Sequence, residues 1–183
     1  MIISSSFSAF VSVVLKSLFV FDTSKRSSKY DCLTLCNGAL VGMIAVAGGV
    51  DNIENWGSVL IGTIAAFWYV GGVLFMEFYR IDDVLEVAPV HLAGGIWGLF
   101  ASGFFDNSSG ALFATANMQG IYMGYQIVGA TVIVAFTSLI SFPAFLIMSK
   151  TGMLRADKAI EEIGFDVAEL SPGVSEEFID AVR

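Results

Sequence analysis

Five apolar runs, near residues 2–21, 33–50, 57–79, 84–105 and 121–149, limit what this chain can become. At about 1.5 Å of rise per helical residue, runs of this length suit a hydrocarbon layer about 30 Å thick. Backbone groups inside that layer find no water, so each run must satisfy its own N–H and C=O groups as a helix. The expected fold is therefore all-α and integral to a membrane, with about five transmembrane helices. Composition agrees: 56% of residues are hydrophobic and 14% charged, with mean hydropathy +0.77. A soluble domain is about half apolar and about a quarter charged. The third run, GSVLIGTIAAFWYVGGVLFMEFY, ends in aromatics suited to an interface. The fifth contains Pro143, which predicts a tilt or kink.

Basic residues orient such a bundle. Lys25, Arg26 and Lys29 lie in the first loop, Arg80 in the third, and Lys150, Arg155 and Lys158 follow the last run. The second loop, DNIENWG, and the fourth, DNSSGALFATANMQG, have no base. Lys16 sits near the end of the first run and is expected to snorkel towards the basic side. The prediction is N-terminus out and C-terminus in. Residues 1–150 form the bundle and residues 151–183 an acidic cytoplasmic tail, with eight acids against three bases. Within it, TGMLRADKAIEEIGFDVAEL predicts a helix with an irregular apolar face, and the chain beyond Ser171 reads as solvated.

The same features exclude several functions. An acidic tail does not favour nucleic acid. Cys32 and Cys36, at i, i+4, lack the spacing and partners of a metal or redox motif. No serine or cysteine sits in a nucleophile elbow, so enzyme chemistry has no visible machinery and no cofactor is implied. Met1 opens directly into IISSSFSAFVSVVLKSLFVF without a basic leader, as expected for a chain whose first residues lie inside a span.

The fourth run, preceded by RIDD, carries the one histidine of the chain, His91. Asp83 and Glu86 match a capping box, with Asp83 as N-cap and Glu86 at N3, starting a helix at Val84. His91 is then the eighth helical residue, about 12 Å along the axis. At about 100° per residue, Gly95, Gly98 and Ser102 share its direction. Small stripes mark helix contacts in membranes, so His91 is expected to face the bundle. The second run has a comparable stripe in Gly38, Gly42, Ala45 and Gly49. An ionisable residue facing a bundle interior is a functional candidate; a packed histidine bonded to a backbone group or hydroxyl is the plain alternative. A neutral imidazole can both donate and accept, which suits a small polar solute stripped of water. Trp56 reads as an interfacial anchor, Trp97 as packing, and Asn37 as a vestibule residue or the partner of a broken backbone.

Four stretches resemble the Amt/Mep/Rh ammonium transporter family: NGALVGMIAVAGGVDNIENWGSVLIG, RIDDVLEVAPVHLAGGIWG, GYQIVGATVIVAF and LRADKAIEEIGFDVAEL. They are similar to the family's eighth, tenth and eleventh spans and to its cytoplasmic tail, whose Gly-x-Asp element falls at Gly164, Phe165 and Asp166. The resemblance implies the last five spans of an eleven-helix fold, N-out and C-in. It also implies ammonium or ammonia as solute, a homotrimer in full-length form, a multi-pass location in lipid, and the plasma membrane. His91 matches the second of two pore histidines. The chain departs from the pattern at Leu92, where Gly is usual, at Glu86, where Asp is common, and at Ala47, where many members have Thr. The first repeat, with the other pore histidine, is not in this sequence. Two readings follow: part of a transporter, or a short non-transporting subunit that assembles with full-length partners.

Overall fold

The computed structural model describes residues 1–19, 32–113 and 121–155. The basic first loop and the tail beyond residue 155, including the Gly164–Asp166 element, lie outside the described residues. Among the described residues the regular elements are all helices, joined by turns, with no strands. In order they form α1 (Ile2–Phe19), α2 (Cys32–Ala47), α3 (Asn55–Phe78), a π-helical turn (Pro89–Ala93) leading into α4 (Gly94–Phe105), and α5 (Ile121–Lys150). Of these, α3 and α5 are long and apolar enough to cross a membrane unaided. The chain divides into two compact units, Met1–Thr131 and Val132–Arg183.

Helix ends follow local chemistry. Before α3, Glu54 is extended, and Ser58 N–H donates to its carbonyl at 3.0 Å. At the far end, Arg80 adopts φ 55°. Its N–H bonds Glu77 O at 3.1 Å, while Ile81 N–H bonds Met76 O at 3.0 Å. This pair of bonds is a Schellman motif, normally built on glycine. Glycine does the same work after α5. Gly152 has φ 74°, its N–H bonds Ser149 O at 3.3 Å, and Met153 N–H bonds Met148 O at 3.0 Å.

In the first unit, α1 packs on α2 and α3, and α2 also packs on α4. The seam is made of small residues. Ser4, Ser8 and Ser12 on α1 are fully buried. They face Gly38 and Gly42 of α2, and Ser4 also meets Gly62 of α3. Ser4 Oγ donates to Gly42 O at 2.7 Å. A methyl group at Gly42 would stand 2.5 Å from Ser4 O and 2.6 Å from Ser8 Cβ. Membrane helices gain little from hydrophobic sorting, so close backbone approach of this kind supplies their packing. Behind the seam, Val41, Ile61, Ala65, Ala66 and Tyr69 are buried, and Trp97 Nε1 donates to Ile61 O at 3.0 Å, tying α4 to α3.

In α5 none of the side chains is buried. Val128, Val132, Leu139 and Phe142 are each more than half exposed, and the helix continues through Pro143.

Candidate functional site

The helix bearing His91 starts three residues later than the capping-box pattern predicts. Val87 is its first helical residue, and Val84 and Leu85 form a turn before it. Pro89 is the physical reason. A start at Val84 would place a proline in the helix interior, where it lacks an N–H and its ring strikes a carbonyl one turn back. With a start at Val87, Pro89 falls in the first turn, where the missing donor costs nothing.

Every donor of that turn has a partner. Val87 N–H and Ala88 N–H donate to the two oxygens of Asp83, at 2.9 and 2.8 Å. Val90 N–H donates to Glu86 O at 3.1 Å. Asp83 therefore holds the helix start from one turn away rather than as the adjacent residue. Leu85 O, four residues before the proline, takes a bond from Asn37 Nδ2 at 3.0 Å instead. Of the two roles open to Asn37, these bonds match the partner of a broken backbone.

Glu86 behaves unlike an N3 residue. It precedes the helix, has φ 58°, and turns its carboxylate into the bundle. Lys16 Nζ lies 2.7 Å from Oε1, with both side chains 14% exposed. Asn37 Nδ2 donates to Oε2 at 3.1 Å, and the Tyr69 hydroxyl donates to the same oxygen. Lys16 thus points inward to a carboxylate rather than along the lipid.

His91 is the fifth helical residue, about 7.5 Å from the helix start. It stands within the π-turn. Pro89 and Val90 are buried against α3, with Pro89 Cβ at 3.1 Å from where a Cβ on Gly72 would lie. His91 and Leu92 consequently face outward, and both are exposed. This differs from the expected inward direction. A π-turn needs an extra residue per circle, so its steps turn the chain less than about 100°. Over three such steps His91 loses alignment with the packing residues. Gly94 and Gly98 reach α2, where Cβ atoms would meet Val41 Cγ2 at 2.5 Å and Ala45 Cα at 3.1 Å. Gly95 meets nothing within 4 Å.

Beside His91 runs an open apolar groove of about 600 Å³ between α3 and the π-turn. Trp68, Gly71, Phe75, Pro89, Leu92 and Ile96 are among its lining residues. Among the described residues no cluster of His, Cys, Asp or Glu could hold a metal ion. The exposed imidazole stands next in sequence to Leu92 of this groove and is not itself among the lining residues.

At the opposite end of α4, Asp106 is 8% exposed. Burial alone would raise its pKa. Bonds from Ser109 N–H, the Ser108 hydroxyl and N–H, and the Asn52 amide outweigh burial and hold the carboxyl below its ordinary value. Trp56 is half exposed and donates to Glu54 Oε2 at 2.6 Å.

The Ammonium Transporter Family pattern matches residues 1–173. Ammonium transporter Amt2 of Archaeoglobus fulgidus is 35% identical over 152 residues, covering 79% of this chain and 32% of that protein. Ammonium transporter 1 member 3 of Solanum lycopersicum is 31% identical over 153 residues, covering 76% of this chain and 33% of that protein. The chain thus spans about a third of the length of these relatives. Two crystal structures share the fold. Saccharomyces cerevisiae Mep2 has a TM-score of 0.67 at 20% identity, covering 86% of this chain and 36% of that one. Candida albicans Mep2 has a TM-score of 0.65 at 19% identity, covering 85% and 35%. The chain belongs to the ammonium transporter family, a family of membrane proteins.

Proposed function

We propose that this chain forms part of a transmembrane pathway for ammonium or ammonia, and that His91 lines it. The carrying observation is the exposed imidazole, next in sequence to Leu92 of the apolar groove and directed away from the packed side of its own helix. A lone polar ring on such a wall is costly against lipid. Against a second protein wall it becomes a group able both to donate a hydrogen bond to a dehydrated solute and to accept one from it. Family membership supports ammonium as that solute. In this reading the helices are the last spans of an eleven-helix fold, N-out and C-in, and the full-length protein is a homotrimer in the plasma membrane. The exposed apolar side chains of α5 suit lipid or neighbouring subunits.

The test is His91→Ala in the full-length protein. Ammonium uptake and its selectivity over potassium are then measured in cells lacking other ammonium transporters. Loss of either supports the pore role, and unchanged uptake and selectivity overturn it. The second wall comes from further sequence of the same chain or from a full-length partner. An immunoblot of native membranes separates these, since a band near 19.6 kDa means a short subunit. A band about three times that mass, as the one-third coverage implies, means a complete transporter.

A further inference from the structure

We propose that Glu86 is the positioning residue for His91: one carboxylate ties α1, α2 and α3 to the start of the histidine-bearing turn. This rests on the pore reading of His91 for its functional meaning, though not for its geometry.

Three observations converge. Glu86 holds a left-handed backbone, φ 58°, which is strained for a non-glycine residue. Such strain persists only where the surroundings over-determine it. Here they do: Lys16 from α1, Asn37 from α2 and Tyr69 from α3 all reach the carboxylate. Finally, the backbone of Glu86 is directly continuous with the site. Its carbonyl accepts from Val90 N–H at 3.1 Å, and Val90 precedes His91. If the carboxylate lets go, the strained residue relaxes. The Asp83–Val87 turn then changes path and the π-turn moves with it.

Asn37 has a double share in this. Its amide bonds both Leu85 O and Glu86 Oε2, at 3.0 and 3.1 Å, so backbone and side chain of the turn are held from one point on α2. Lys16 supplies the charge that makes a part-buried carboxylate tolerable there.

The test uses the full-length native protein, labelled with 15N-histidine and reconstituted in lipid. The ring signals of His91 are assigned by their loss in His91→Ala. Glu86→Gln puts an amide nitrogen against Lys16 Nζ. It is expected to shift the His91 ring signals and to lower uptake roughly tenfold, as small misplacements of functional groups do, with folded yield unchanged. Adding Lys16→Met removes the ammonium facing that amide nitrogen while the amide oxygen still accepts from Asn37 and Tyr69. The double variant should recover both the signals and most of the uptake. Glu86→Gly is the second probe, because it keeps the left-handed backbone but has no carboxylate, and it too should shift the ring.

Unmoved His91 signals in both Glu86 variants overturn the inference, whatever happens to uptake. Losses of uptake that merely follow loss of folded protein overturn it as well. The pore reading fails separately: if His91→Ala transports normally, His91 has no pore role, yet the ring signals still report whether Glu86 positions it.

Discussion

Substitution of Gly42 by Ala should damage the seam between α1 and α2. The added methyl group would lie 2.5 Å from Ser4 O and 2.6 Å from Ser8 Cβ, where ordinary contact needs about 3.4 Å. One of the two obstacles is a backbone carbonyl, so no rotamer change relieves it. Helix α1 must withdraw by nearly an ångström, and the Ser4–Gly42 bond of 2.7 Å goes with it. Overpacking costs about 1–3 kcal/mol. The lost hydrogen bond adds about 1 kcal/mol. Better helix propensity of Ala returns about 1 kcal/mol. The net destabilisation is about 1–3 kcal/mol. Gly71→Ala gives the contrast, because Gly71 meets nothing within 4 Å and gains only the propensity. Thermal unfolding of the native protein in detergent micelles, followed by size-exclusion chromatography, reads both. A Gly42→Ala protein that melts at or above the wild type would refute the close-approach account of this seam.

Other positions separate further effects. Asp83→Ala removes the acceptor of two first-turn N–H groups and should cost about 1–2 kcal/mol in the same melt. Ser4→Ala and Ser8→Ala should differ in sign. Ser4 loses its bond to Gly42 O at a cost of about 1 kcal/mol, whereas Ser8 sheds a buried hydroxyl without a partner. Asp106 has a depressed pKa, so its contribution is complete above the ordinary carboxylate range and disappears as pH falls through the lower folded value. A melt series from neutral to acid pH should therefore show a loss of stability that Asp106→Asn, which keeps its acceptor oxygen, lacks.

Much of the bundle was legible because its signals are local. Gly38, Gly42, Ala45 and Gly49 share one face by spacing alone, and all four are buried. The apolar runs of α3 and α5 fixed those helices to within a few residues. The start of the fourth helix was also legible, but in Pro89 rather than in the Asp83–Glu86 pair. The spacing of four in Ser4, Ser8 and Ser12 was equally visible, between the bulkier Phe7 and Phe10. Two features had no local signal. Nothing in Pro89-Val-His-Leu-Ala93 announces a π-turn, so the direction of His91 could not be computed from an even 100° step. The partners of Glu86 lie 17, 49 and 70 residues away, and only the packed fold brings them together.

The π-turn makes the histidine end of the fourth helix adjustable in phase. Deleting one residue within Pro89–Ala93 would leave an ordinary α-helix with its ladder intact. The segment from Gly94 onward would keep its seat on α2, while everything before it would rotate by about 100° and advance about 1.5 Å. A one-codon change here therefore acts as a turn of the dial rather than a break. It re-aims the side chains that line the groove and withdraws Glu86 from its three donors on α1, α2 and α3.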